Sequence, residues 1–67
     1  MINMDKILKI VPEQIINTIN QLVKDNNRPQ LEKWLTECKQ EINFRQENKM
    51  EINWLYYELY YLETILN

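Results

Sequence analysis

The sequence contains no glycine, no histidine, no alanine and no serine, and it has one cysteine and two prolines. Without glycine, the chain lacks the residue that tight β-turns use at positive φ. A small β-barrel is therefore disfavoured, and we expect an all-α protein with few turns and long helices. A single cysteine cannot form an internal disulfide bond, which is typical of a reducing compartment.

The same absences exclude most types of enzyme active site. Hydrolytic triads need serine or cysteine with histidine, and a phosphate-binding loop needs glycine. Glutamates four residues apart, at Glu37/Glu41 and Glu47/Glu51, share helix faces. Carboxylate metal sites in helical bundles also use histidine, so these pairs are interpreted as solvated acidic surface. We expect no enzyme activity, no cofactor, no metal and no small-molecule substrate.

Long apolar runs are absent too. The longest are short stretches such as residues 54–57, far below the ~20 residues that span a bilayer. The first residues carry no basic region followed by an apolar segment and a small-residue cleavage site. No membrane association is expected, and the expected location is the cytoplasm.

Charge is low and uneven along the chain. Eight basic and ten acidic residues give a net charge of −2, with +1 over residues 1–33 and −3 over residues 34–67. The second predicted helix carries Lys33, Lys39 and Arg45, as a helix-turn-helix protein would require, but several glutamates interrupt them. Nucleic-acid binding therefore stays the weaker interpretation.

With 67 residues, of which 45% are hydrophobic, the chain suffices for one small domain over residues 1–67. Apolar residues recur every three or four positions from Met4 to Val23, with Pro12 interrupting the pattern. This predicts a short helical turn near 4–10, a break, and a helix from about 12 to 25. Asparagines and Pro29 then favour a turn.

Two further helices are predicted, from about 29 to 45 and from about 49 to 66. The expected fold is thus a small helical hairpin or a three-helix bundle. The polar segment 45–49 leaves open whether these two helices are separate or form one continuous helix. Their apolar stripes lie roughly 100° apart in projection, which favours a turn around Asn48.

The last predicted helix carries two apolar stripes. The first follows heptad spacing and predicts packing inside the domain: Ile52, Leu55, Leu59, Leu62 and Leu66. The second contains the larger aromatic residues and lies on another face: Met50, Trp54, Tyr57, Tyr61 and Ile65. Because little chain remains to cover this second stripe, it is the candidate protein-binding surface, and Glu51, Glu58 and Glu63 around it would select a basic rim.

Cys38 lies on the apolar stripe of the second predicted helix and is expected to be buried and unreactive. The predicted function is a small protein-binding module, an inhibitor or adaptor that docks its aromatic helix face on a partner protein or on a second copy of itself. The alternative is a small dimeric transcriptional regulator or antitoxin that contacts DNA with its N-terminal half. The abundance of asparagine, isoleucine and lysine suggests an AT-rich genome, such as that of a phage or mobile element.

Overall fold

A computed structural model describes residues 4–52 and 54–67, and the regular structure in these ranges is entirely helical. The helices are α1 (Met4–Ile10), α2 (Glu13–Lys24), α3 (Arg28–Glu47) and α4 (Leu55–Leu66). The predicted all-α helical bundle is confirmed. The predicted turn near 4–10 is a seven-residue helix, so the bundle contains one element more than three helices.

Pro12 separates α1 from α2, as its position in the sequence predicts. Its backbone lies at φ −53° and ψ 136°, outside the helical region, directly before the first residue of α2. The amide of Val11 still donates to the carbonyl oxygen of Ile7 at 2.9 Å, which closes the last turn of α1. Because proline has no amide hydrogen, it fits at a helix start, where no intrahelical acceptor exists.

Asparagines make the turn between α2 and α3. Asn26 takes a positive φ of 55° after the last turn of α2. The amide of Asn27 donates to the carbonyl oxygen of Leu22 at 2.9 Å, which is the long hydrogen bond of a Schellman cap. The side chain of Asn27 then caps α3 by accepting from the amide of Gln30 at 3.4 Å, and Pro29 lies in the first turn.

A second Schellman cap ends α3 and excludes the continuous long helix. Lys49 has a φ of 55°, and its amide donates to the carbonyl oxygen of Gln46. The amide of Met50 donates to the carbonyl oxygen of Arg45 at 2.8 Å. The turn predicted around Asn48 is thus confirmed, because these two bonds turn the chain away from the axis of α3.

The predicted start of the last helix is wrong. We expected it near residue 49, but α4 begins at Leu55. The Schellman cap occupies residues 48–50, and the Arg45 guanidinium donates to the carbonyl oxygen of Glu51 at 3.1 Å, which holds the connection against α3. Residue 53, inside the predicted helix, lies outside the described residues.

Helix α4 is the central element of the bundle. It packs on α3 and on α1, and α2 packs on α3. The heptad stripe enters the core as predicted, since Leu62 is fully buried and Leu55 is 7% exposed, with the other members partly buried. The buried apolar residues are Ile7, Val11, Ile16, Ile19, Leu31, Cys38, Ile42, Leu55, Tyr61 and Leu62.

Candidate interaction surface

The five residues of the predicted aromatic face lie in different environments. Tyr61 is only 8% exposed and belongs to the core, whereas Met50 is 49% exposed and lies in the connection before α4. Trp54, Tyr57 and Ile65 are partly buried and pack against the core. The expectation that this stripe is left uncovered is therefore wrong, most plainly for Tyr61.

Helices α1 and α2 contact two residues of the stripe, Tyr57 and Tyr61. The ammonium group of Lys6 lies 5.9 Å from the centroid of the Tyr57 ring, a cation–π distance. The hydroxyl of Tyr61 donates to the side-chain oxygen of Asn20 on α2. The fully buried Ile7 anchors α1 in the core. The seven-residue helix α1 thus covers part of the stripe, at Tyr57, and α2 contacts Tyr61.

An uncovered groove of about 280 Å³ lies between α3 and α4. Its floor is apolar, formed by the buried Ile42 and the half-buried Leu59, and Tyr56 at its edge is 45% exposed. The side-chain amide of Gln46 donates to the Tyr56 hydroxyl and fixes that ring. The full lining is Lys39, Ile42, Asn43, Gln46, Tyr56 and Leu59.

All residues lining this groove come from α3 and α4, so neither α1 nor α2 closes it. An apolar floor with a few polar groups at the rim is the usual composition of a site that receives an apolar side chain. Tyr56 belongs to neither apolar stripe of the sequence and was therefore not predicted as a binding residue. We call this groove the α3–α4 groove.

A second groove lies at the other end of the hairpin, where Arg28 caps α4. Arg28 lines it, and its guanidinium donates to the carbonyl oxygen of Leu66 at 3.0 Å and to the Glu32 carboxylate at 3.0 Å. The carbonyl groups of the last helical turn have no partner within the helix. Arg28 therefore caps α4, and its hydrogen bonds are used inside the fold.

Cys38 is buried, as predicted, with 4% of its surface exposed. Its sulfur lies 3.7 Å from the carbonyl oxygen of Leu55 and 3.9 Å from a carboxyl oxygen of Glu58. Burial raises the pKa of the Cys38 thiol to about 12, and the negative charges of Glu58 and Glu41 act in the same direction. The group is therefore a thiol at neutral pH, and a thiol is a poor nucleophile.

Glu58 departs most from its predicted role. We expected it to flank an exposed aromatic surface together with Glu51 and Glu63, but Glu58 is 4% exposed and lies in the α3–α4 contact.

Within residues 4–52 and 54–67, no group of three or more histidine, cysteine or acidic side chains could hold a metal ion. None of the four described helices has the length and apolarity needed to cross a membrane.

Comparisons of this chain with protein-family models, with curated proteins and with solved structures found no match.

Proposed function

We propose that this chain is a small protein-binding module that acts as a homodimer, in which the α3–α4 groove of one copy packs on the same surface of a second copy. The observation that supports this proposal is an apolar floor, Ile42 and Leu59, left open by the rest of the fold beside the exposed Tyr56. Tyrosine is enriched in interfaces because it buries a large area with few rotatable bonds.

The size of the molecule is compatible with such an interface. A standard interface buries roughly 800 Å² on each partner. The accessible surface of this chain is 4963 Å², so about a sixth of it would be needed. The molecule measures 36 × 25 × 22 Å, and one of its broad sides offers an area of that order.

The arrangement of the groove favours a second copy as the occupant. Tyr56 on α4 and Ile42 on α3 line the same groove, so they lie at the same level along the hairpin. A two-fold axis parallel to α3 and α4 would lay α3 of each copy on α4 of the other. It would place the exposed Tyr56 of each copy over the Ile42 side of the other copy's groove.

Sedimentation equilibrium across a wide concentration range tests this proposal. We expect a monomer–dimer equilibrium that Tyr56→Glu abolishes, since a carboxylate in the interface must be desolvated without a counter-charge. Phe44→Glu is the matched control, because Phe44 is 54% exposed and does not line the groove. It should leave the dimer intact, and circular dichroism should show that both variants keep their helices.

A chain that stays monomeric at every concentration while fully folded would refute the homodimer. If such a monomer instead bound a different protein through Tyr56, the groove would still be an interface, but the occupant proposed here would be wrong.

A further inference from the structure

Glu58 is the only charged residue among the buried side chains of the described chain. One carboxyl oxygen accepts a hydrogen bond from the indole nitrogen of Trp34 at 2.8 Å. The other lies 3.9 Å from the sulfur of Cys38. Trp34 and Cys38 are one turn apart on α3, so the carboxyl group of α4 is held directly against the facing helix.

The groups around Glu58 provide little compensation for a negative charge. The two ion pairs among the described residues, Arg28–Glu32 and Arg45–Glu41, are on the surface and do not include Glu58. From α3, Trp34 and Cys38 donate hydrogen bonds to Glu58. From α1, which also packs on α4, Lys6 lies 5.9 Å from the ring centroid of Tyr57, the residue that precedes Glu58. A buried carboxylate is usually stabilised by two or three good donors, and a thiol is a weak one.

Burying the charged carboxylate of Glu58 costs free energy. Protonation removes most of this cost, because a neutral carboxyl group is much easier to bury than a charged one. Burial is the main cause that raises the pKa of Glu58, and the hydrogen bonds from Trp34 and Cys38 oppose it. A pKa raised by folding contributes stability that is complete below the unfolded-state value and is lost as the pH rises through the folded-state value.

We propose that Glu58 is a proton-operated latch on the α3–α4 contact. With a neutral carboxyl group, α3 and α4 close on each other around Trp34. When the group ionises, the contact loosens, because the charge must draw in water or separate the helices. The latch acts on the hairpin that carries the α3–α4 groove, but it rests on the buried carboxyl group and does not depend on dimer formation.

Urea unfolding of the full chain between acidic and neutral pH tests the latch, with Glu58→Gln as the variant and Glu37→Gln, at an exposed glutamate of α3, as the matched control. Relative to Glu58→Gln, the folding equilibrium constant of the wild type should fall by up to tenfold per pH unit between the two pKa values. Glu37→Gln should keep the wild-type profile. Identical profiles for the wild type and Glu58→Gln would overturn the proposal.

A second measurement does not depend on how well Glu58→Gln folds. In a Trp54→Phe background, the indole proton resonance of Trp34 should titrate with the midpoint of the Glu58 carboxyl carbon, because the two groups share a hydrogen bond. That midpoint should lie above 4.5, the ordinary value for glutamate. A midpoint at or below this value, or a Trp34 resonance that does not move, would overturn the latch.

Discussion

Replacing Lys49 with glycine should stabilise this protein. Lys49 follows the last turn of α3 and has a φ of 55°, a left-handed conformation that the Schellman cap requires. Helices commonly end on glycine at this position, since glycine has no Cβ to clash with the backbone. This sequence has no glycine at all, so Lys49 has to adopt the unfavourable left-handed conformation.

The magnitude follows from two opposing effects. An L-amino acid in the left-handed region costs roughly 1–2 kcal/mol. Glycine loses more backbone entropy on folding, which costs about 0.5–1 kcal/mol relative to a residue with a Cβ. We expect a net stabilisation of about 0.5–1 kcal/mol, which corresponds to a rise in Tm of roughly 2–8 °C for a domain of this size.

Urea denaturation followed by circular dichroism measures the effect as a shift in midpoint at constant slope. Lys49→Ala is the matched control: it removes the same charge and side chain but keeps the Cβ, so it should give no gain. Asn26→Gly is a second comparison, because Asn26 has the same φ of 55° but asparagine tolerates it better. Its gain should be smaller than that of Lys49→Gly.

Unchanged or lowered stability in Lys49→Gly would show that the left-handed conformation of Lys49 costs no more than the backbone entropy of glycine. Equal gains for Lys49→Gly and Lys49→Ala would show that the lysine side chain, and not its backbone conformation, is unfavourable.

Two further predictions concern the core. Leu62→Ala should lower the free energy of unfolding by about 2–5 kcal/mol, because Leu62 is fully buried. Leu59→Ala should lower it by less, because Leu59 is only half-buried. A larger loss for Leu59→Ala in urea denaturation would contradict this order. Cys38 should react slowly with iodoacetamide in the native protein and quickly in urea, since its raised pKa and its burial both suppress the thiolate; rapid labelling of the folded chain would show that the α3–α4 contact opens readily.

The sequence allowed the helices and their breaks to be predicted where one residue type dominates the local energetics. Pro12 cannot continue a helix through its own amide, and Asn26 can take the left-handed cap, so the ends of α1 and α2 followed directly. The break before α4 was predicted from the mismatch of the two apolar stripes. Its extent was not predicted, because nothing in the pattern indicated that Lys49 would take a left-handed cap in place of glycine.

The prediction of an uncovered aromatic stripe failed for a reason of tertiary packing. The prediction assumed that three helices leave too little chain to cover two faces of the last one. It underestimated the packing of α1, whose Ile7 is fully buried although the helix has only seven residues. A helix this short has no independent stability, so local patterning gives little sign that it will cover another element. The exposed tyrosine of α4 is Tyr56, from outside both stripes.

The burial of Glu58, in contrast, could have been predicted from a helical-wheel projection of α4. In a helical-wheel projection with Glu51 at 0°, the aromatic stripe lies at about 240–320° and the heptad stripe at about 20–100°. Glu58 lies at about 340°, between the two. If both stripes are covered, the residue between them must be covered as well. A carboxyl group there needs a donor on the facing helix, and Trp34 is the residue of α3 that supplies one. The burial of Glu58 therefore follows from packing on both sides of it on α4, and the same packing that buries Tyr61 also buries the carboxyl group.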